Sequence, residues 1–396
     1  KSCANIANEG IFRRNYSKIV GRQPTRTDGG DDRPTRRSAM GCKIVGHGKA
    51  QPELVVSNDD LANIVDTSDE WIVERTGIHN RRIAVDESTT DLGVQAAQAA
   101  LENAGVAAVD IDLIVCMTIS GDVIVPSQAA LIKAQLGAEH AIAFDLNAAC
   151  SGCIYGIDVA STMIEASVAS EGGSGIGHKR NAMRRALVVG AERLSRITDW
   201  TDRATCVLFG DGAGAVVLEW DESAPGILAS FLKNTDDDTL CLTVDANHDM
   251  STFPFGENVG NVGVGEIMDI ETDEGGFAEH AAFIRMHGQR VFKFATAAIV
   301  EAARAVCERA GVSMDEVSCI VPHQANDRII RFAAKKLGVP YERWQVSIAE
   351  AGNTSASSVL MALSDAYEEG RIKPGDKVMC VGFGGGLTSG ALLFEA

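Results

Sequence analysis

Apolar positions along this chain alternate between helical spacing and short continuous runs, and they do so twice. In 94–117, VQAAQAALENAGVAAVDIDLIVCM, small and apolar residues recur at helical spacing as far as Ala104. The Ala-Gly pair then ends the predicted helix, and an acidic stretch leads into the strand-length run Leu113–Met117. The same succession returns in 300–323, VEAARAVCERAGVSMDEVSCIVPH, at an offset of 206. Further on, that offset pairs Asn147 with Asn353, so that NAACSGCIYGIDVA faces NTSASSVLMALSDA, each following a strand and opening an apolar helix. The next predicted strands are Ala186–Gly190 and Val378–Gly382, and matching Val189 to Val381 lowers the offset to 192. The first half therefore carries a 14-residue insertion, placed by composition in the Gly-rich polar stretch Glu171–Asn181 and expected to be a surface loop. Each half closes on Gly-Ala, three apolar residues and Glu: GAVVLE at Gly214–Glu219 and GALLFE at Gly390–Glu395.

Two copies of a strand-helix unit predict an α/β protein with two mixed sheets covered by helices, its halves spanning 41–224 and 225–396. The Asn147 and Asn353 segments predict two central helices related by a pseudo-twofold axis, with their starts close together. Unpaired N–H groups and positive dipole ends converge at such a place, which suits an anion or oxyanion.

Charge changes the picture at the N-terminus. Residues 1–40 hold nine Lys and Arg against four Asp and Glu, whereas the rest has 27 basic against 50 acidic side chains, a net of −23. The segment is also rich in Ser and Thr and lacks a continuous apolar core, so it reads as an N-terminal extension of transit-segment type or a disordered one. The former places the protein in a plastid-type organelle stroma, the latter in the cytoplasm. The acidic body argues against nucleic acid as a partner, and no apolar run is long enough to span a bilayer. Of ten cysteines, several lie in apolar runs, Cys116, Cys206, Cys319 and Cys380 among them, as buried small hydrophobes in a reducing compartment do.

One cysteine stands apart. Cys150 follows a strand at the expected first turn of a helix, behind two alanines that permit close approach, and a helix start favours thiolate there. Cys153 lies one turn deeper and is expected to be buried and inert. His323 ends an apolar strand behind Pro322, and Asn353 opens the second repeat helix. The repeat sets the Asn353 start opposite the Cys150 start and His323 on the strand before it, which gathers Cys, His and Asn in one pocket. The glycine run Gly382–Gly390 is a bend between two strands whose N–H groups suit an oxyanion better than a phosphate, because no Lys-Ser or Lys-Thr follows and a strand comes next.

Six strings, VDTSDEWIVERTGI (65–78), AACSGC (148–153), GDGAGA (210–215), VPHQAN (321–326), GNTSAS (352–357) and GFGGG (382–386), resemble in order those of the β-ketoacyl-acyl-carrier-protein synthase III family, over roughly residues 42–396. The resemblance implies a thiolase-like fold layered α-β-α-β-α and a homodimer without metal or organic cofactor. It also implies decarboxylative condensation of a short acyl-CoA primer, acetyl-CoA in the family, with malonyl-acyl-carrier protein, the first step of type II fatty-acid synthesis. On the matching positions, Cys150 takes the acyl group, the N–H groups of Cys150 and Gly385 hold the oxyanion, and His323 and Asn353 donate to the malonyl thioester carbonyl. Phe383 is the neighbouring phenylalanine. Trp71 and Arg75 match the pair that sandwiches adenine, with Thr67, Arg203 and Asn326 as further coenzyme A contacts. The basic helix DRIIRFAAKKLG carries Arg328, Arg331, Lys335 and Lys336, extended by Lys293, as a dock for an acidic carrier protein, while Ile329, Ile330, Phe332 and Ala333 supply its apolar side.

The chain departs from the family in three places: the 171–181 stretch, residues 1–40, and Val125, where bacterial relatives often have Phe before the Pro-Ser of the primer-site loop. A degradative thiolase would need a second cysteine just before the final glycine run, where Gly382 and Phe383 stand. A hydroxymethylglutaryl-CoA synthase would need a glutamate acid/base motif near the nucleophile, which the sequence does not display. A silent acyl-binding protein would not keep Cys150, His323 and Asn353 together, and a papain-like hydrolase lacks the duplication.

Overall fold

The computed structural model describes residues 41–171, 182–223, 225–237, 239–244 and 283–396. The extension 1–40, all of the expected insertion except Glu171, and residues 245–282 lie outside the described residues. Among the described residues thirteen strands run in chain order: β1 (Gly41–Ala50), β2 (Val55–Ser57), β3 (Asn80–Arg82), β4 (Leu113–Met117), β5 (Ile142–Leu146), β6 (Arg185–Arg193), β7 (Asp211–Asp221), β8 (Ile227–Asn234), β9 (Leu242–Val244), β10 (Ile284–Met286), β11 (Val317–Pro322), β12 (Lys377–Gly384) and β13 (Thr388–Glu395).

The repeat is visible in the sheets. One has the order β1-β7-β6-β4-β5 and the other β11-β12-β13-β8, so β8-β13-β12-β11 retraces β1-β7-β6-β4. Directions agree too: β4 is parallel to β6 and β11 to β12, while β6–β7 and β12–β13 are antiparallel. Where the first sheet adds β5, the second has only a parallel bridge between Ile320 and Trp344. The repeat strands are longer than the apolar runs suggested, because antiparallel partners continue the ladder past the last apolar residue, to Arg193 in β6 and Gly384 in β12.

Helices Gly152–Glu171 and Ser358–Glu368 lie between the two sheets in one apolar cluster that includes Ile154, Ile157, Leu360 and Leu363, all fully buried. Each such side chain contributes roughly 2 kcal/mol of burial. The contact is close because the facing strand positions lack side chains. A Cβ on Gly214 would stand 2.6 Å from that of Leu360, and one on Gly390 would stand 3.1 Å from Cγ2 of Ile154. Ile154 and Leu360 are the same repeat position, so each central helix presses on the other half's pattern in the same way. Helices Thr89–Ala104 and Gln128–Leu136 cover the outer face of the first sheet, and Gly288–Ala310 and Asp327–Leu337 that of the second. The resulting order of layers is α-β-α-β-α. No helix among the described residues is long and apolar enough to cross a membrane.

Candidate active site

The central helices begin with the same local irregularity. A 3-10 turn, Ala149–Ser151, precedes one and Ser355–Ser357 the other, and the first residue of each is left-handed, Ala149 at φ 45° and Ser355 at φ 49°. Left-handed backbone on a residue with a Cβ costs about 1–2 kcal/mol and is held by its surroundings. Here the asparagines hold it: Asn147 Oδ1 accepts from Ala149 N–H at 3.1 Å, and Asn353 Oδ1 from Ser355 N–H at 2.8 Å. Cys150 therefore sits in the 3-10 turn and not, as expected, in the first turn of the α-helix.

The expectation of a thiolate-favouring site also needs correction. Cys150 is 6% exposed, and burial pushes its thiol up to about 12, against a smaller lowering by the Ser355 hydroxyl. The opening of the helix does not outweigh desolvation. Cys153 is fully buried and likewise pushed up to about 12, but Cys150 lines the large cavity and Cys153 does not. All nine cysteines among the described residues are buried free thiols.

That cavity, of about 1170 Å³, is bordered by Cys150, His323, Asn353, Phe383, Gly385, Trp71, Arg75 and Asn326, so the fold brings the three predicted chemical groups together. His323, 1% exposed, is fixed at the end of β11 by donation from its N–H to Val381 O at 2.8 Å. Its ring meets Phe383 edge-on with centroids 5.2 Å apart. Nδ1 lies 2.6 Å from Ser358 Oγ, whose oxygen also receives the Gln324 N–H at 3.3 Å. With the serine hydroxyl donating to Nδ1, the imidazole proton lies on Nε2, an atom buried without a protein partner. Burial lowers the imidazole to about 3, so it is neutral and a donor. Asn353 is held by its N–H to Leu208 O at 2.8 Å and by Gly210 N–H to its carbonyl at 3.1 Å. With Oδ1 occupied by Ser355, Nδ2 is the group it offers.

The glycine run lies directly against the cysteine: a Cβ on Gly384 would be 2.6 Å from Cys150 N. Thr388 ties the two together, accepting from Ser151 Oγ at 2.8 Å and donating to Ala148 O and Gly385 O, each at 3.2 Å. A thiol, two neutral donors and a glycine backbone around one volume suit acyl transfer to sulfur and stabilisation of a thioester carbonyl that becomes negative.

At the other end, Trp71 and Arg75 lie on helix Asp69–Thr76. The guanidinium carbons of Arg75 and Arg203 stand 4.5 and 4.9 Å from the indole centroid. Arg203 and Thr67 are beside the cavity and not among its lining residues; Thr67 Oγ1 is buried without a protein partner, and Arg203 donates to Asp66 O at 2.9 Å. Asn326 is already engaged, capping helix Asp327–Leu337 through Arg328 N–H and donating to Arg75 O, both at 2.9 Å. On that helix Arg328, Arg331, Lys335 and Lys336 are exposed, as is Lys293 on its neighbour. Arg331 is paired with Asp327 at 2.6 Å and lies over the Tyr341 ring at 4.1 Å. Phe332, expected on the buried side, is instead 38% exposed, because Ile329, Ile330, Ala333 and Ala334 fill the inner face. Ser358, Ser355 and Glu192 were not singled out by the sequence; the only sign of Ser355 was its pairing with Ala149 in the repeat.

Comparison with known proteins agrees with this geometry. The 3-oxoacyl-[acyl-carrier-protein] synthase III family profile matches residues 178–236, and its C-terminal profile 307–396. The chain is 43% identical over 353 residues to β-ketoacyl-[acyl-carrier-protein] synthase III of Clostridium beijerinckii, with 89% of this chain and 98% of that relative covered. It is 42% identical over 356 residues to that of Aquifex aeolicus, with 90% and 100% covered. The crystal structure of 3-oxoacyl-[acyl-carrier-protein] synthase III from Aquifex aeolicus superposes with a TM-score of 0.75 at 40% identity, covering 90% of this chain and 100% of that one. The Thermus thermophilus enzyme gives 0.76 at 36% identity, covering 89% and 99%. This chain belongs to the β-ketoacyl-acyl-carrier-protein synthase III family.

Proposed function

We propose that the protein condenses an acyl-CoA primer, acetyl-CoA in the first instance, with malonyl-acyl-carrier protein to give 3-ketoacyl-acyl-carrier protein, the opening step of fatty-acid synthesis. The observation that carries this reading is the buried, unpartnered Nε2 of His323 in the same cavity as Cys150 and Asn353, on an imidazole that burial keeps neutral. A neutral donor pair cannot abstract a proton from carbon, but it can hold a carbonyl oxygen as it turns negative. Decarboxylation needs only that.

In this reading Cys150 Sγ attacks the primer thioester, and the N–H groups of Cys150 and Gly385 receive the oxyanion. After coenzyme A leaves, His323 Nε2 and Asn353 Nδ2 donate to the malonyl thioester carbonyl while carbon dioxide departs, and the enolate carbon attacks the acyl group on Cys150. Phe383, edge-on to His323, keeps the imidazole in plane and the site dry. No resident metal or organic cofactor enters any step.

Trp71 stacks the adenine, one of the two guanidinium groups on its indole giving way to the base, while Thr67 Oγ1 and Asn326 border the nucleotide. Arg328, Arg331, Lys335, Lys336 and Lys293 form a cationic face on an acidic protein and receive the acidic carrier protein. A homodimer is supported by two apolar features beside the cavity. Among the described residues strand β5 has a partner on one side only, and Val123, Ile124 and Val125 are 49, 74 and 83% exposed.

The test is a condensation assay with acetyl-CoA and malonyl-acyl-carrier protein, read by mass spectrometry of the carrier. Appearance of 3-ketobutyryl-acyl-carrier protein supports the proposal. Carrier that returns only as malonyl or acetyl species, across a panel of primers, contradicts it.

A further inference from the structure

We propose that Ser355 and Glu192 form a buried proton acceptor for the Cys150 thiol, Ser355 relaying the proton through its hydroxyl to the unpaired Oε1 of Glu192. The inference rests on Cys150 being the acyl carrier and addresses what that reading leaves open. A thiol pushed up to about 12 must lose its proton before it attacks, and the imidazole in the same cavity cannot take it. His323 Nδ1 is occupied by the Ser358 hydroxyl, and Nε2 already carries the ring proton.

Glu192 can take it. The residue is on β6, fully buried, and its Oε2 accepts from Thr118 Oγ1 and Ile119 N–H, both at 3.1 Å, and from Ser120 Oγ. Its Oε1 is buried with no hydrogen-bond partner. Such a half-satisfied carboxylate is costly unless the bare oxygen has a use. The groups facing it are neutral donors and two thiols, Cys116 on β4 and Cys150, and burial raises its carboxyl above the ordinary range. Arg193, next on β6, points the other way and donates to Ala84 O and Val85 O. Among the described residues no ion pair holds Glu192, and such a carboxylate is a better proton acceptor than an ion-paired one.

Ser355 stands between the two. It lines the cavity together with Cys150, and its turn, Ser355–Ser357, packs against both the turn Ala149–Ser151 and strand β6, which carries Glu192; its Oγ is buried without a regular hydrogen bond and bears on the ionisation of both groups. Contacts of this kind are commonly loose in a free enzyme and tighten when substrate enters. The backbone there does not call for a hydroxyl: the matching repeat position, Ala149, adopts the same left-handed conformation with a methyl group. The serine is what the second half adds.

In the proposed step the S–H bond of Cys150 breaks, Ser355 Oγ receives that proton, and its own moves to Glu192 Oε1. The thiolate attacks the thioester carbonyl, the carbon–sulfur bond to coenzyme A breaks, and the departing thiolate recovers the proton along the reverse route. Glu192 is again a carboxylate, and the net charge of the site never changes.

The experiment compares the wild-type chain with Glu192→Gln, Ser355→Gly and the double variant from pH 6 to 9.5. Two rates are followed: acetyl transfer from acetyl-CoA to Cys150, and alkylation of Cys150 by iodoacetamide. Glycine suits the φ of 49° at position 355, so the second variant keeps the backbone and removes only the hydroxyl. The proposal predicts that each single variant loses at least about tenfold in both rates at pH 7, that the deficit closes as hydroxide takes over toward pH 9.5, and that the double variant is no slower than either single one. Unchanged rates, or a deficit of the same factor at every pH, overturn it. So does faster alkylation in Glu192→Gln, which is what a carboxylate that merely repels the thiolate predicts. Absence of acetyl from Cys150 in the wild-type chain is a different result and removes the parent reading instead.

Discussion

Ser358 Oγ lies 2.6 Å from His323 Nδ1 and, by filling that acceptor, decides which nitrogen of a buried neutral imidazole carries the proton. His323 follows the end of β11 and Ser358 opens the central helix, so the register between them is set by the sheet-helix contact and not by a loop. Ser358→Ala leaves the ring in place and frees its tautomer. We expect malonyl decarboxylation to fall about tenfold, some 1.4 kcal/mol, with acetyl transfer to Cys150 nearly unchanged. Single-turnover measurement of the two half-reactions checks this.

The donor pair itself should show the same split more strongly. His323→Ala and Asn353→Ala are expected to keep appreciable acylation of Cys150 while each costs about 3 kcal/mol in decarboxylation, the usual loss for one oxyanion donor. Normal decarboxylation in both variants would remove them from the mechanism.

Burial, more than sequence pattern, separates what could be read beforehand from what could not. The duplication was legible because Ile154 and Leu360, or Gly214 and Gly390, must repeat if two helices are to press equally on two sheets. Cys150, His323 and Asn353 were legible because the repeat ties strand ends to helix starts. The protonation state of Cys150 was not: motif position suggests a helix dipole, whereas desolvation, which no motif records, pushes the thiol up to about 12. Phe332 was misplaced for a related reason, since four other apolar residues already fill the inner face of its helix. Asn326 matched a family contact, yet both its polar ends are committed to Arg328 and Arg75.

The depressed imidazole gives a pH signature. The unfolded chain binds a proton at His323 below about 6.5, the native state only near 3, so the native state's advantage is complete above 6.5 and is lost as pH falls between those values. Within that window the loss from this one group approaches ~1.4 kcal/mol per pH unit. His323→Asn should therefore flatten the acid limb of urea-unfolding free energy against pH. The decarboxylation rate of the unmodified chain should show no inflection from His323 between pH 5 and 8. An inflection near 6.5 that disappears in His323→Gln contradicts the buried neutral donor.

For the carrier-protein face, Arg328→Glu with Lys335→Glu changes two exposed charges and leaves the Arg331–Asp327 pair intact. The apparent KM for malonyl-acyl-carrier protein should rise sharply and lose salt dependence, while the rate of acetyl transfer from coenzyme A stays within about twofold. Equal effects on both half-reactions, or none, would place the dock elsewhere.

The central claim is that Cys150 carries the acyl group, and the direct measurement is intact-mass and peptide mass spectrometry after exposure to acetyl-CoA alone. The account predicts one acetyl adduct per chain on the peptide containing Cys150, at the Cys150 thioester, with Cys153 unmodified and with no adduct in Cys150→Ala. Acetyl on Cys153, or an unmodified chain after exposure to a full panel of acyl-CoA primers, would contradict it.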